Sequence, residues 1–430
     1  MAFLKRLRTL GRDQSGNALA ICAAALPLVI GGAGLAIDSV QISVARRELQ
    51  RAADSAALAG AYAINQNPTS TGTTRSTYAQ NGAVRDLEVN NDVTLTGSPV
   101  VQNAPATGPF ASNADAVRVQ LTANRSLSFL AFFDATPTAI TVEATAAIVR
   151  EGNFCMLALE DSADTGVTIG GNATINIGCG ISTNSRHPTQ AIYSFGSSSV
   201  TASPIMAVGG VSTSTNYASG TSLIPYAAVQ QDPYSTLPVP AITPSQCTNT
   251  PRVQPNDPPR TIAAGCHNGL DIDGTATLAP GVHYINGDSG DLSIGAQANL
   301  SGTGVTIVLT STDPSDADTI AGMTMNGNPR VNLSAPDSGP YTGVLFYQDP
   351  RAERGNTVHF NGGATSVING AFYFPQANFF FNGTAGMATS CIQLVARRLD
   401  FSGNGTITNT CSPTTPGSRN FQATYVRLVG

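Results

Sequence analysis

At 430 residues, with 11% charged side chains and 43 glycines, the chain is long enough for two or three structural regions and is rich in turn signals. A formal charge of -5 and the lack of an aromatic-interleaved basic patch exclude nucleic acid as a partner. Lys5 is the sole lysine, which removes phosphate-loop and Schiff-base chemistry from everything beyond the first few residues.

Residues 1–17 form a basic leader in which Lys5, Arg6, Arg8 and Arg12 stand against Asp13. From Ala18 to Ile37 there is no charge. A helix rising about 1.5 Å per residue would cover about 30 Å there, enough to cross a bilayer. The spacing therefore predicts a transmembrane helix over 18–37, with the N-terminus in the cytoplasm by the positive-inside bias. A cleaved signal peptide, with Gly34 and Ala36 as the small residues before the cut, is the competing reading. Against it, the apolar stretch exceeds a typical signal core, and the helical pattern runs on through residues 38–64 as an Ala-rich amphipathic helix. In that continuation Ile42, Ala45, Leu49, Ala52, Ala56, Ala59 and Ala63 recur at alternating steps of three and four. Such a stripe of small residues suits close packing, against a partner helix or against the protein's own sheet.

The basic leader, Gly16, the Ala25-Leu26-Pro27 step, Asp38 at the helix exit and the pattern Leu49, Gln50, Ala52, Ala53, Asp54, Ala56, Ala57, Leu58 together resemble the N-terminal Tad domain of TadG-like (Tad/Flp) pilus assembly proteins. The resemblance covers roughly residues 10 to 64. It extends more loosely to about residue 150, through Tyr78-Ala79-Gln80-Asn81-Gly82 and the strand-like ADAVRVQLTA and AITVEATAAIV, which imply a small α+β region over 65–150. It departs from the family in two places. Pilin-like relatives processed after a glycine place Glu five residues on, where this chain has Ile21, and the Asp-x-Ser-x-Ser metal signature of von Willebrand A domains is missing.

Beyond residue 150 a short alternating unit recurs, beginning at Val167, Leu270, Leu292, Met323, Val358 and Leu399. Alternation marks half-buried strands, and Gly or Asn at fixed offsets marks tight corners between them. The expected fold class is mainly β: the N-terminal helices, the small α+β region, then a right-handed parallel β-helix-like solenoid over 151–430. Nine prolines between Pro225 and Pro259 interrupt it, and 225–260 reads as an extended surface excursion. Cys22 lies in the apolar segment. Cys155, Cys179, Cys247, Cys266, Cys391 and Cys411 are candidates for disulfides, falling in chain order as three neighbouring pairs among 15 formal connectivities.

Chemistry is sparse. Asp271 with Asp273, Asp288 with Asp291, and Asp313, Asp316 and Asp318 are the acidic groups to weigh against solvated turns. His187, His267, His283 and His359 are dispersed, and no nucleophile elbow or zinc spacing accompanies them. Phe372, Tyr373, Phe374, Phe379, Phe380 and Phe381 could stack sugars, but internal packing is the expectation. No catalytic residue, cofactor or metal site is predicted, and the sequence names no small-molecule ligand. The expected function is non-enzymatic: a single-pass component of the bacterial inner membrane, its ectodomain periplasmic or surface-directed, contacting other pilus assembly or envelope proteins. A surface adhesin or carbohydrate-binding module is the alternative, and a polysaccharide-active enzyme a third reading.

Overall fold

The computed structural model describes residues 15–133, 136–361, 366–383, 387–409 and 421–429. The chain divides into two compact units, residues 1–149 with 426–430, and residues 150–425.

Helix α1 (Ser15–Asn65) dominates the first unit and runs through Pro27 without a break. Helix α2 (Gly72–Asn90) follows, with Arg75, Ala79, Ala83 and Leu87 buried at steps of four, one stripe of a 3.6-residue repeat. Strands β1 (Val100–Asn103), β2 (Ala116–Arg125) and β3 (Thr138–Ala158) form an antiparallel sheet, with Val101 opposite Val119 and Leu121 opposite Val142. Residues of β3 up to 149 belong to this unit. The core joins Leu49, Ala53, Ala57 and Ile64 of α1 to α2 and to the alternating inward residues of β2 and β3.

Small residues set how closely α1 and α2 approach. A Cβ on Gly82 would lie 2.7 Å from the Ala63 Cβ and 2.8 Å from the Ala59 carbonyl oxygen. A Cβ on Gly60 would lie 2.9 Å from the Ala79 carbonyl oxygen. Gly82→Val is therefore expected to force the helices apart and cost about 1–3 kcal/mol, the usual penalty of overpacking. A urea midpoint for the first unit unchanged from wild type would show that the helices can separate freely.

The second unit consists almost wholly of short parallel strands. Most pair with the strand three further along the chain, producing three parallel columns, and the two 17-residue strands Val367–Gly383 and Met387–Gly403 each run through more than one column. Through the first column the register runs Leu270 to Leu292, Met323, Val358, Phe379 and Leu399. The sequence units thus lie in register, their alternate residues turned into a common core. Leu399 then pairs with Val167, and Val167 with Ile192. The last units of the sequence therefore lie against the first, and the levels do not follow chain order.

Something must carry the chain from one end of the columns to the other, and the proline-rich run does so. It lies on the outer face of the third column, whose register runs Tyr284, Val308, Tyr347, Tyr373, Val395 and Leu157, and where these side chains would otherwise face water. Tyr234 and Leu237 of the run are buried there. The Tyr234 hydroxyl donates to Gln393 Oε1 at 2.5 Å, that of Tyr373 donates to Asp232 Oδ2 at 2.8 Å, and that of Tyr341 to the Pro238 carbonyl at 3.1 Å. Proline has no N–H to leave unpaired, which suits a segment that crosses strands instead of joining a ladder. Part of the excursion expected over 225–260 is thus a packed cover, while Cys247–Asn249 and Arg252–Val253 join the columns as strands.

Candidate functional site

Helix α1 changes character at Asp38. From Ile21 to Ile37 its large apolar side chains are exposed, Leu28 at 78%, and a Cβ on Gly31 or Gly32 would meet nothing within 4 Å, while Gly34 lies under the Phe129 ring. Helix α1 is long and apolar enough to cross a membrane by length and composition. From Ala45 onward the helix is buried on one side against α2 and the sheet. The small-residue stripe therefore has an internal partner. Its buried face is also broader than the spacing implied, taking in Ala53, Ala57 and Ala61, while Ala59 and Ala63 are half-buried against Gly82. Asp38 sits at the change, 3% exposed, accepting the backbone N–H groups of Phe129 at 3.0 Å and Leu130 at 2.7 Å.

Residues 16–63, wholly within α1, match the Tad family model, described as putative Flp pilus-assembly TadE/G-like. Helix α1 carries a TadE/G-like domain. No curated protein matches the chain. The Tad segment thus comprises the exposed apolar stretch, Asp38 and the buried small-residue face.

In the second unit the acidic candidates are engaged by strand and turn neighbours. Asp271 pairs with Arg252 at 3.1 Å, Asp273 accepts the Gln297 N–H, Asp291 accepts the Gly322 N–H at 2.7 Å, and Asp288 accepts from the Thr312 hydroxyl. Asp316 accepts the Asp318 N–H at the start of a short turn, and Asp313 accepts from the Ser315 hydroxyl. Among the described residues no three His, Cys, Asp or Glu side chains gather to hold a metal ion. Of the aromatic run, Phe372, Tyr373, Phe374, Phe379 and Phe381 are buried, and Phe380 alone turns outward, stacked on His359 at 5.3 Å.

Cys155 is bridged to Cys179 and Cys247 to Cys266, with Cα–Cα distances of 5.8 and 4.5 Å. Each bridge ties neighbouring strands of the third column. The Cys391 side chain and Cys411 lie outside the described residues. Cys22 is free and exposed on α1.

Two of the dispersed histidines meet beside the second bridge. His267 Nε2 and His283 Nδ1 are 3.2 Å apart, and His283 Nε2 is 2.9 Å from the Ala279 carbonyl oxygen. A carbonyl only accepts, so His283 carries its proton on Nε2 and its Nδ1 accepts from His267. Burial and then the facing His283 ring push His267 down to about 4, and burial also pushes His283 down. In the unfolded chain both titrate near 6.5, so between about pH 6.5 and about pH 4 the unfolded state binds more protons. Stability contributed by this pair is full above that window and falls as pH drops through it. His267→Gln is expected to flatten the fall in melting temperature across the window; an unchanged pH profile would place the acid sensitivity elsewhere.

A charged group that matches no motif surrounds Glu160, which is fully buried. Its Oε2 takes Arg398 Nε at 2.6 Å and a terminal guanidinium nitrogen of Arg397 at 2.7 Å, while Oε1 takes Arg354 at 3.2 Å and the Ser162 N–H at 3.1 Å. Burial pushes the carboxyl up, but bonds from Arg398 and Ser162 outweigh it and hold the group below its ordinary value. It stays ionised at neutral pH, whereas a general acid needs the proton. Adjacent arginines at 397 and 398 and the pair Glu160-Asp161 were the available sequence signal.

Proposed function

We propose that this chain is a non-enzymatic, membrane-anchored component of Tad/Flp-type pilus assembly, working through protein contacts of an exported β-solenoid. The observation that carries the reading is the TadE/G-like match on a helix whose N-terminal half is apolar and largely exposed. The basic residues ahead of it favour a cytoplasmic N-terminus, which leaves the second unit outside, where disulfides persist. Parallel pairing at every third strand is the pattern of three-stranded solenoid coils. A clasped carboxylate at Glu160 and turn-bound aspartates support structural use of the charged groups.

Two measurements test this. The full-length chain is expected in the carbonate-resistant membrane fraction with its apolar segment intact by mass, and a soluble species cut near Ala36 would remove the anchor. Deleting its gene in the host is expected to abolish Flp-type pili, and normal piliation would remove the assembly role.

A second reading, glycan binding, draws on the outward side of the first column, where Tyr193 stacks on the 43% exposed Phe195 with centroids 5.1 Å apart. Binding on a glycan array that is lost in Phe195→Ala would favour it.

A further inference from the structure

Between β2 and β3 the chain turns through Ser-Leu-Ser-Phe-Leu-Ala-Phe-Phe, residues 126–133, an unusually apolar connection for a surface loop. Phe132 is 86% exposed and Phe133 73%. The segment does not stay beside the sheet. The Phe129 ring lies on Gly34, where any Cβ would overlap it, and Phe132 and Phe133 face Ala23, Leu26, Pro27 and Ile30 across an apolar groove of about 670 Å³. At about 1.5 Å per residue, those helix positions lie about 12–22 Å from Asp38 along the axis, well into a hydrocarbon layer about 30 Å thick.

A loop can enter lipid only if its backbone polar groups are satisfied without water, since each orphan costs several kcal/mol there. This one meets that condition for the donors of residues 129–133. The Phe129 and Leu130 N–H groups go to the Asp38 carboxylate, that of Ala131 to the Leu127 carbonyl at 2.8 Å, that of Phe132 to Phe129 at 3.1 Å and that of Phe133 to Leu130 at 2.9 Å. Gln41 adds a bond to the Ser128 hydroxyl at 2.9 Å. Water would satisfy such donors in an ordinary exposed loop. Here a buried aspartate and a tight helical turn do so, while the rings are left bare.

We propose that residues 127–133 are a second membrane-embedded element, an aromatic wedge clasped by Asp38 and lying in the bilayer beside α1, with lipid acyl chains filling the groove between them. The proposal rests on the reading of α1 as a membrane span. It accounts for Gly34, whose lack of a side chain gives Phe129 its seat, and for Asp38, an acidic residue buried where the apolar stretch of α1 ends. The wedge widens the anchor from one helix to a helix and a loop, which resists tilting and axial rotation better than a single cylinder.

The chain contains no tryptophan, so F132W or F133W introduces a single fluorophore at a highly exposed position. The full-length variants, reconstituted in phosphatidylcholine vesicles, are compared with and without mid-chain bromination of the lipid. L28W, on the exposed side of α1, reports the span itself. Loss of emission in brominated vesicles for L28W and for both loop variants is the expected result. Loss for L28W alone overturns the wedge and leaves the anchor standing. No loss for any of the three overturns the membrane reading and the wedge with it.

Discussion

A chain ending at Gly383 is expected to lose ordered structure over residues 154–211 while residues 265–360 keep theirs. The strand Met387–Gly403 lies between the strand before it and the earliest strands of the second unit, with Leu394 paired to Met156 and Leu399 to Val167. Truncation also removes Thr406–Asn409, which pairs with Thr174–Ile177. Ile392, Leu394, Val395, Leu399, Phe401 and Ile407 leave the core together. At about 1.5–3 kcal/mol each, six such side chains are worth about 9–18 kcal/mol, comparable with the whole stability of a domain. Amide exchange mapped along the chain decides the matter: protection retained over 154–211 would mean that these strands stand without the closing level.

Glu160→Ala is expected to cost about 3 kcal/mol, the low end for breaking a buried ion pair, because Arg354 and Arg398 keep access to water and to Asp161 and Asp164. Most of the loss falls on Arg397, 12% exposed and left facing two like charges. The sign with pH follows from the carboxyl's lowered value. Its contribution is present above the unfolded carboxylate range, near about 4.3, and disappears as pH falls below it. Denaturant melts at neutral and acid pH should therefore differ for wild type and converge with the variant at the acid end. A variant as stable as wild type at neutral pH would mean that the arginines find other partners.

Legibility tracked the range over which each interaction acts. The apolar stretch, the helix beyond it and the alternating strand units are set by local periodicity, and each lies where its pattern predicts. Cys155 with Cys179 and Cys247 with Cys266 are near neighbours in sequence and in the columns alike. The placement of Leu399 against Val167 left no local trace, because one alternating unit offers the same edge as another. Tyr234 and Leu237 were hidden by the prolines around them, whose effect on backbone donors says nothing of what the side chains cover. The loop at 126–133 reads as a short apolar run, and its meaning depends on Asp38, some ninety positions earlier.

The closing level also governs when the second unit can fold. Asn172 and Asn404, hydrogen-bonded at 2.8 Å, are 232 positions apart in sequence. A chain that emerges N-terminal end first must hold Met156 and Val167 with one edge open until nearly everything else has arrived. Contacts that distant form slowly, and an open parallel edge is a template for whichever matching strand reaches it first. Where two copies fold side by side, the strand Met387–Gly403 of one chain fits the open edge of the other, so a higher protein concentration during refolding is expected to favour a strand-swapped pair over the monomer.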